Sequence, residues 1–195
     1  MKILLTFFVL LFSSSVVADD ISDFQIEGMS VGDSLLDYFS EKEINDNIRN
    51  IYVDKKFTMV SFYNLPFFKT YENIDVHYLT EDNSYKIYSI AGNIFYPENI
   101  SECYKKMNTL DNELQPITHN ANLISDQVFI HINDPTGKSK IKPIVYEMVS
   151  GDWIGLQCYD FSNEYILNQG VTDNLEVFLE FREFNYWLSN NPYKG

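Results

Sequence analysis

Positive charge, histidine, cysteine and long apolar runs are all scarce in this chain. Fourteen Lys and Arg stand against 28 Asp and Glu, for a formal net charge of −14. The only basic series is Lys138, Lys140 and Lys142. Nucleic acid and anionic membrane surfaces are therefore poor partners, because both reward dense positive charge. The three lysines alternate as on the edge of a sheet, where lysine discourages pairing with another chain. The three histidines, His77, His119 and His131, show no i, i+2 or i, i+4 spacing, so no metal site is encoded locally and no cofactor is expected. Asp160, Asn163 and Glu164 lack the alternation and central Gly of a calcium loop and read as a solvated turn. After the first residues, no apolar run approaches the ~20 needed to span a bilayer.

What is present begins with an address. MKILLTFFVLLFSSSVVADD has one Lys, an apolar run from Ile3 to Phe12 broken only by Thr6, and Val16-Val17-Ala18 before two acids. This is the layout of a secretory signal peptide over residues 1–18, with cleavage after Ala18. A lipid anchor by that route would require a Cys where Asp19 stands. The remainder, residues 19–195, has no repeat or Pro/Gly-rich linker and is long enough for one core, so a single domain is expected. In a periplasmic or secreted protein, two cysteines predict a Cys103–Cys158 disulfide.

The elements follow from periodicity. Ser30 with Asp33 imitates a capping box before Val31, Leu35, Leu36 and Phe39, which predicts a helix from Val31 to about Lys42. Strands are expected at Phe57 to Tyr63, Asp75 to Thr80 and Tyr85 to Ile90, with Glu81 to Ser84 as a hairpin loop. Asn99, Glu102 and the stripe Ile100, Cys103, Tyr104, Met107, Leu110 and Leu114 define a second helix, stopped by Pro116. Further strands are expected at Gln127 to Ile132, Ile141 to Val149 and Trp153 to Phe161, the last two joined by a two-residue Gly151-Asp152 turn. Leu175, Val177, Leu179 and Phe181 alternate with Glu176, Phe178, Glu180 and Arg182 as a final strand, before a short segment from Glu183 to Leu188. The predicted fold class is α+β: an antiparallel sheet of six or seven strands with two helices on one face.

Gly32-Asp33-Ser34-Leu35 spells the signature of a large class of serine esterases. Those enzymes place the serine after a buried strand and draw their base from a downstream Asp-x-x-His. Residues 25–30 do not form such a strand. The residues three before the histidines are Ile74, Pro116 and Val128, so Ser34 lacks a base and reads as part of a helix. Gly137-Lys138-Ser139 lacks the glycine of a phosphate loop five residues earlier, where Ile132 stands. Asn99-Ile100-Ser101 fits a glycosylation sequon, but the helix cap accounts for Asn99.

Aromatics make up 16% of the chain. The two-residue turn would place Val145 opposite Cys158. It would put Tyr146, Trp153, Gln157 and Tyr159, with Ile144 and Met148, together on the opposite face, as an aromatic surface for a small apolar ligand or a protein partner. The cover available for that face is the N-terminal segment, the loop from Leu65 to Phe68, or the C-terminal Phe184, Tyr186 and Trp187.

Gly28-Met29-Ser30, leading into a short amphipathic segment, resembles the start of domains in small outer-membrane assembly lipoproteins and β-lactamase inhibitor proteins. Those domains commonly continue with a Leu-Gly-x-Pro-like turn, whereas Phe39-Ser40-Glu41-Lys42 stands here. In size, leader and Ile/Asn/Tyr/Phe-rich composition, the chain resembles small exported proteins of unknown function from streamlined marine bacteria. That resemblance implies an address and no activity. The reading that follows is an exported binding module with an unidentified small ligand or protein partner. The alternatives are an exported hydrolase, with Ser34 as its most concrete nucleophile, and an envelope assembly or structural factor.

Overall fold

Segments of alternating or continuous apolar residues, from Phe57 to Glu180, pair into one antiparallel sheet. The computed structural model describes residues 20–49, 52–97, 99–118 and 120–190. The predicted leader and His119 lie outside them. The strands are β1 (Ile48–Arg49), β2 (Phe57–Tyr63), β3 (Asn73–Leu79), β4 (Ile87–Phe95), β5 (Asn122–Ser125), β6 (Phe129–Ile130), β7 (Lys140–Glu147), β8 (Trp153–Asp160) and β9 (Asn174–Glu180). They lie in the order β1-β2-β3-β4-β9-β8-β7-β5, with β6 also paired to β7. The α-helices are α1 (Glu41–Asp46), α2 (Ile100–Leu114), α3 (Asn163–Gln169) and α4 (Arg182–Asn190). The class is α+β with an antiparallel sheet; nine strands and four α-helices among the described residues replace the expected six or seven and two.

The helix expected from Val31 to Lys42 does not form. Gly32 sits at φ +94 and turns the chain away from helical geometry. Asp33 still accepts the Ser30 N–H at 2.9 Å, as a capping box would require, but only a 3-10 turn over Leu35–Asp37 follows. The capping box that operates is ten residues on, where Ser40 and Glu43 exchange hydrogen bonds at the start of α1. In contrast, α2 spans the predicted residues, with Cys103, Met107 and Leu114 buried. The segment read as a solvated turn at Asn163 and Glu164 is α3, capped by Ser162 and ended by Gly170 at φ +67.

Side chains alternate across a ladder, so the register sorts the sheet into two faces. On one face lie Val60, Ile74, Ile90, Leu156, Val177 and Leu179, all in the main core. Two covers bury it: α2, and an irregular N-terminal segment whose Ile21, Phe24, Ile26, Met29 and Leu35 are almost fully inaccessible. Glu27 pins that segment, its carboxylate accepting the backbone N–H groups of Lys69, Thr70 and Tyr71. Cys103 of α2 is bonded to Cys158 of β8, with Cα atoms 6.1 Å apart across a sequence separation of 55. We call this the disulfide face.

Among the described residues, the other face carries a helix at one end. There Phe184 and Trp187 of α4 pack on Tyr52 and Phe57 as a small second core. α2 thus lies on one face and α4, over the segment from Glu183 to Leu188 for which no helix was expected, on the other. An aromatic ring fills a glycine notch on each face. A Cβ on Gly92 would meet the Tyr71 ring at 2.6 Å, and one on Gly155 would meet Phe178 Cζ at 2.2 Å. No described helix is long and apolar enough to cross a membrane.

Candidate functional site

The hairpin joining β7 to β8 decides which aromatic residues share a face. Its ladder pairs Glu147 with Trp153 and Val145 with Gly155, and places Lys142, not Val145, opposite Cys158. The connection closes with Met148 N–H donating to Asp152 C=O at 2.8 Å, around a loop longer than the two residues expected. The resulting shift of three residues is odd, so it exchanges the faces of β7 relative to β8. Tyr146, Ile144 and Met148 consequently join the core of the disulfide face. Tyr146 Oη donates to Asp111 Oδ1 of α2 at 2.6 Å, and burial beside that carboxylate raises the phenol to about 12. It is a structural anchor for α2. Val149 is 83% exposed in the loop.

Trp153, Gln157 and Tyr159 remain together, on the face opposite the disulfide, and each keeps part of its surface open. Their neighbours on the next strand are Glu180, Glu176 and Asn174, paired with them in register. Further across lie Ser89, Asn93, Asp75 and Asn73 of β4 and β3. The chain has thus set three carboxylates, Asp75, Glu176 and Glu180, on the middle strands of a sheet. That is a costly place for charge, because neighbouring backbone and side chains exclude water from it.

Their partners are neutral. Gln157 donates an amide N–H to Glu176 and another contact to Tyr159 Oη at 2.8 Å. Glu180 accepts from Asn185 of α4 at 3.1 Å and from Ser89 at 3.5 Å. Asp75 accepts from Ser61, Asn73 and Asn93, and Asn93 also donates to Asn73 at 2.7 Å. Burial raises both glutamates from 4.5 to about 7, the charges of Asp75 and Glu180 adding to the effect at Glu176. Burial likewise raises Asp75, against its hydrogen bonds and the opposing charge of Arg49. None of the ion pairs found among the described residues involves any of the three. Burial thus shifts both glutamates toward the protonated form, so that they titrate in the neutral range.

The flanks of this band are aromatic. Phe178, Ala91, Val145 and Trp153 form a small apolar cluster between the Glu176 and Glu180 rows. At the other end Tyr159 stacks on Phe161, which stacks on Tyr165, and all three surround the His131 ring. Beneath α4, His77 is buried and held neutral, its pKa lowered to about 3 by burial, with Nε2 2.9 Å from Tyr52 Oη. No group of three or more potential metal ligands occurs among the described residues.

Ser34 lies elsewhere, on the disulfide side of the molecule near the hairpin of β3 and β4. Its Oγ donates to Ser84 C=O at 2.6 Å and accepts the Leu36 N–H at 3.3 Å. Both contacts belong to the 3-10 turn and its docking to the hairpin, and neither is to a base. The glutamates went unnoticed in the sequence because they read as the outward half of an alternating strand. Their only local signal is Glu at 176 and 180 on one side of a strand whose other side is Leu, Val, Leu. Comparisons with family models, with curated proteins and with solved structures found no match to this chain.

Proposed function

We propose that the chain is an exported binding module whose ligand lies on the carboxylate band between Trp153 and Tyr159. The observation that carries this reading is the pair Glu176 and Glu180 on a partly open face, carboxyls raised by burial. Their hydrogen-bond partners are neutral side chains, and they join none of the ion pairs found among the described residues. A ligand with an amine or quaternary ammonium group supplies the missing charge, and the aromatic flanks favour the same group by cation–π attraction. The ligand class is therefore cationic, in place of the apolar one expected from an aromatic surface alone. Export rests on the leader-like first 18 residues and on the disulfide, which persists in oxidising compartments.

The test is a fluorescence titration of the protein with small amines, quaternary ammonium ions, neutral sugars and fatty acids. Amine binding is expected to tighten from pH 5 to 8, because the cation prefers the ionised carboxylates. Trp153→Ala and Glu176→Gln are each expected to weaken it at least tenfold while the fold is retained. Binding of a sugar or fatty acid with no response to amines overturns the cationic class. A second reading, an exported hydrolase, draws on the same pair, since a carboxyl titrating near 7 suits a general acid. Turnover of chromogenic glycosides or esters, abolished by Glu176→Gln, would favour it.

A further inference from the structure

The edge of the sheet beside β7 is unlike an ordinary protected edge. The alternating lysines expected to guard an edge lie one strand in: Lys140 and Lys142 belong to β7, which β5 and β6 cover. Their neighbours already occupy two of the series, since Lys138 pairs with Glu164 at 3.7 Å and Lys142 lies 5.6 Å above the Tyr104 ring. The true edge, residues 122–133, carries no lysine and no proline. Leu123, Val128, Phe129 and Ile130 are each more than half exposed and Ile132 is 86% exposed, on both sides of the strand. Edges normally carry charge, proline or bulges to prevent pairing with another chain; here the protection is one register shift between Leu123 and Ser125 and the single Asp126, and the apolar run 128–132 has none.

We propose that this edge pairs with the same edge of a second copy, β5 and β6 of one chain running antiparallel to β5 and β6 of the other. Antiparallel self-pairing is isologous, so one two-fold axis satisfies both chains and leaves no open strand at that end. Charge selects the place. In a chain of net charge −14, residues 122–133 contain a single acid, Asp126, so two acidic molecules can approach here with little repulsion. Size agrees, because ten of those twelve residues are exposed and their open surface is on the order of the ~800 Å² that each side of a standard interface buries. The covered ladder would also satisfy backbone groups that now face solvent.

Analytical ultracentrifugation of the intact oxidised protein, from low micromolar to about 100 μM, reads the assembly directly through mass action. A wild-type species of twice the chain mass is expected, with Val128→Lys/Ile130→Lys falling to the single-chain mass and its far-UV dichroism unchanged. Should that pair of changes disturb the fold, Ile132→Lys, outside the strands, gives the same reading. Val53→Lys, at an exposed apolar residue remote from this edge, is expected to leave the dimer intact. A monomeric wild type across the range overturns the proposal. So does a dimer that survives the edge variants, a dimer equally lost in Val53→Lys, or a larger mass contributed by a different protein.

Discussion

The two faces of this sheet are built from the same strands and meet opposite fates. On the disulfide face, β2, β3, β4, β8 and β9 contribute Val, Ile, Leu and Phe, and the N-terminal segment and α2 seal them from water. On the carboxylate face, the intervening residues of the same strands include Ser61, Asp75, Asn93, Gln157, Glu176 and Glu180 beside the apolar Ala91, Phe178 and Trp153, with a described helix over one end. The first face has the composition of a folding core. The second holds groups that weaken the fold where they stand, and a feature that costs stability without closing a core is where function is sought.

Four measurements sharpen or break that contrast. The largest effect is expected on the sealed face: Cys103→Ser/Cys158→Ser opens a loop of 55 residues and should cost about 4 kcal/mol on the chain-entropy account, read as a fall in denaturant midpoint. Next is Gly155→Ala on the open face, where the new Cβ must displace the Phe178 ring. A loss of about 1–3 kcal/mol is expected, as for overpacking generally. A change within ~0.5 kcal/mol would show that Phe178 is loosely held and that the open face is not a packed surface.

The third measurement uses pH. Glu176 and Glu180 hold protons more tightly folded than unfolded, about 7 against 4.5. Their contribution is therefore full below the unfolded value and is lost as pH rises to about 7. Unfolding free energy should fall across that window, and Glu176→Gln/Glu180→Gln should flatten the profile and stabilise the protein at pH 8. A profile that rises from pH 5 to 8 would place both carboxylates in favourable surroundings and remove the basis of the contrast. The smallest effect is expected at Ser34→Ala, about 1 kcal/mol for the lost cap and hydrogen bond. Reaction with a fluorophosphonate probe that this variant abolishes would overturn the structural role of Ser34.

How much of this was legible in the sequence depended on how local the signal was. β2 and α2 lie at their predicted residues because alternation, a strong apolar stripe and Pro116 act within one element. The first helix failed because two capping sequences compete, Ser30 with Asp33 and Ser40 with Glu43, and Gly32 settles the matter through a positive φ. α3 carried its own caps, Ser162 and Gly170, but only seven residues between them and no buried stripe. The candidate site was half legible. Trp153, Gln157 and Tyr159 share a face as expected, whereas a turn of the wrong length assigned Tyr146 to it. The carboxylates belong to the site only because β9 is central, and strand order is not written in any local pattern.

That central place of β9 has a consequence for how the molecule is made. Before residues 174–180 arrive, the chain can form two separate sheets, one of β1 to β4 and one of β5 to β8, with no ladder joining them. The strand that unites them is the last of the nine in chain order, and its pairings to β4 reach back 79 to 91 residues. Non-local pairing of this kind delays folding. The full sheet closes only once β9 is in place between β4 and β8.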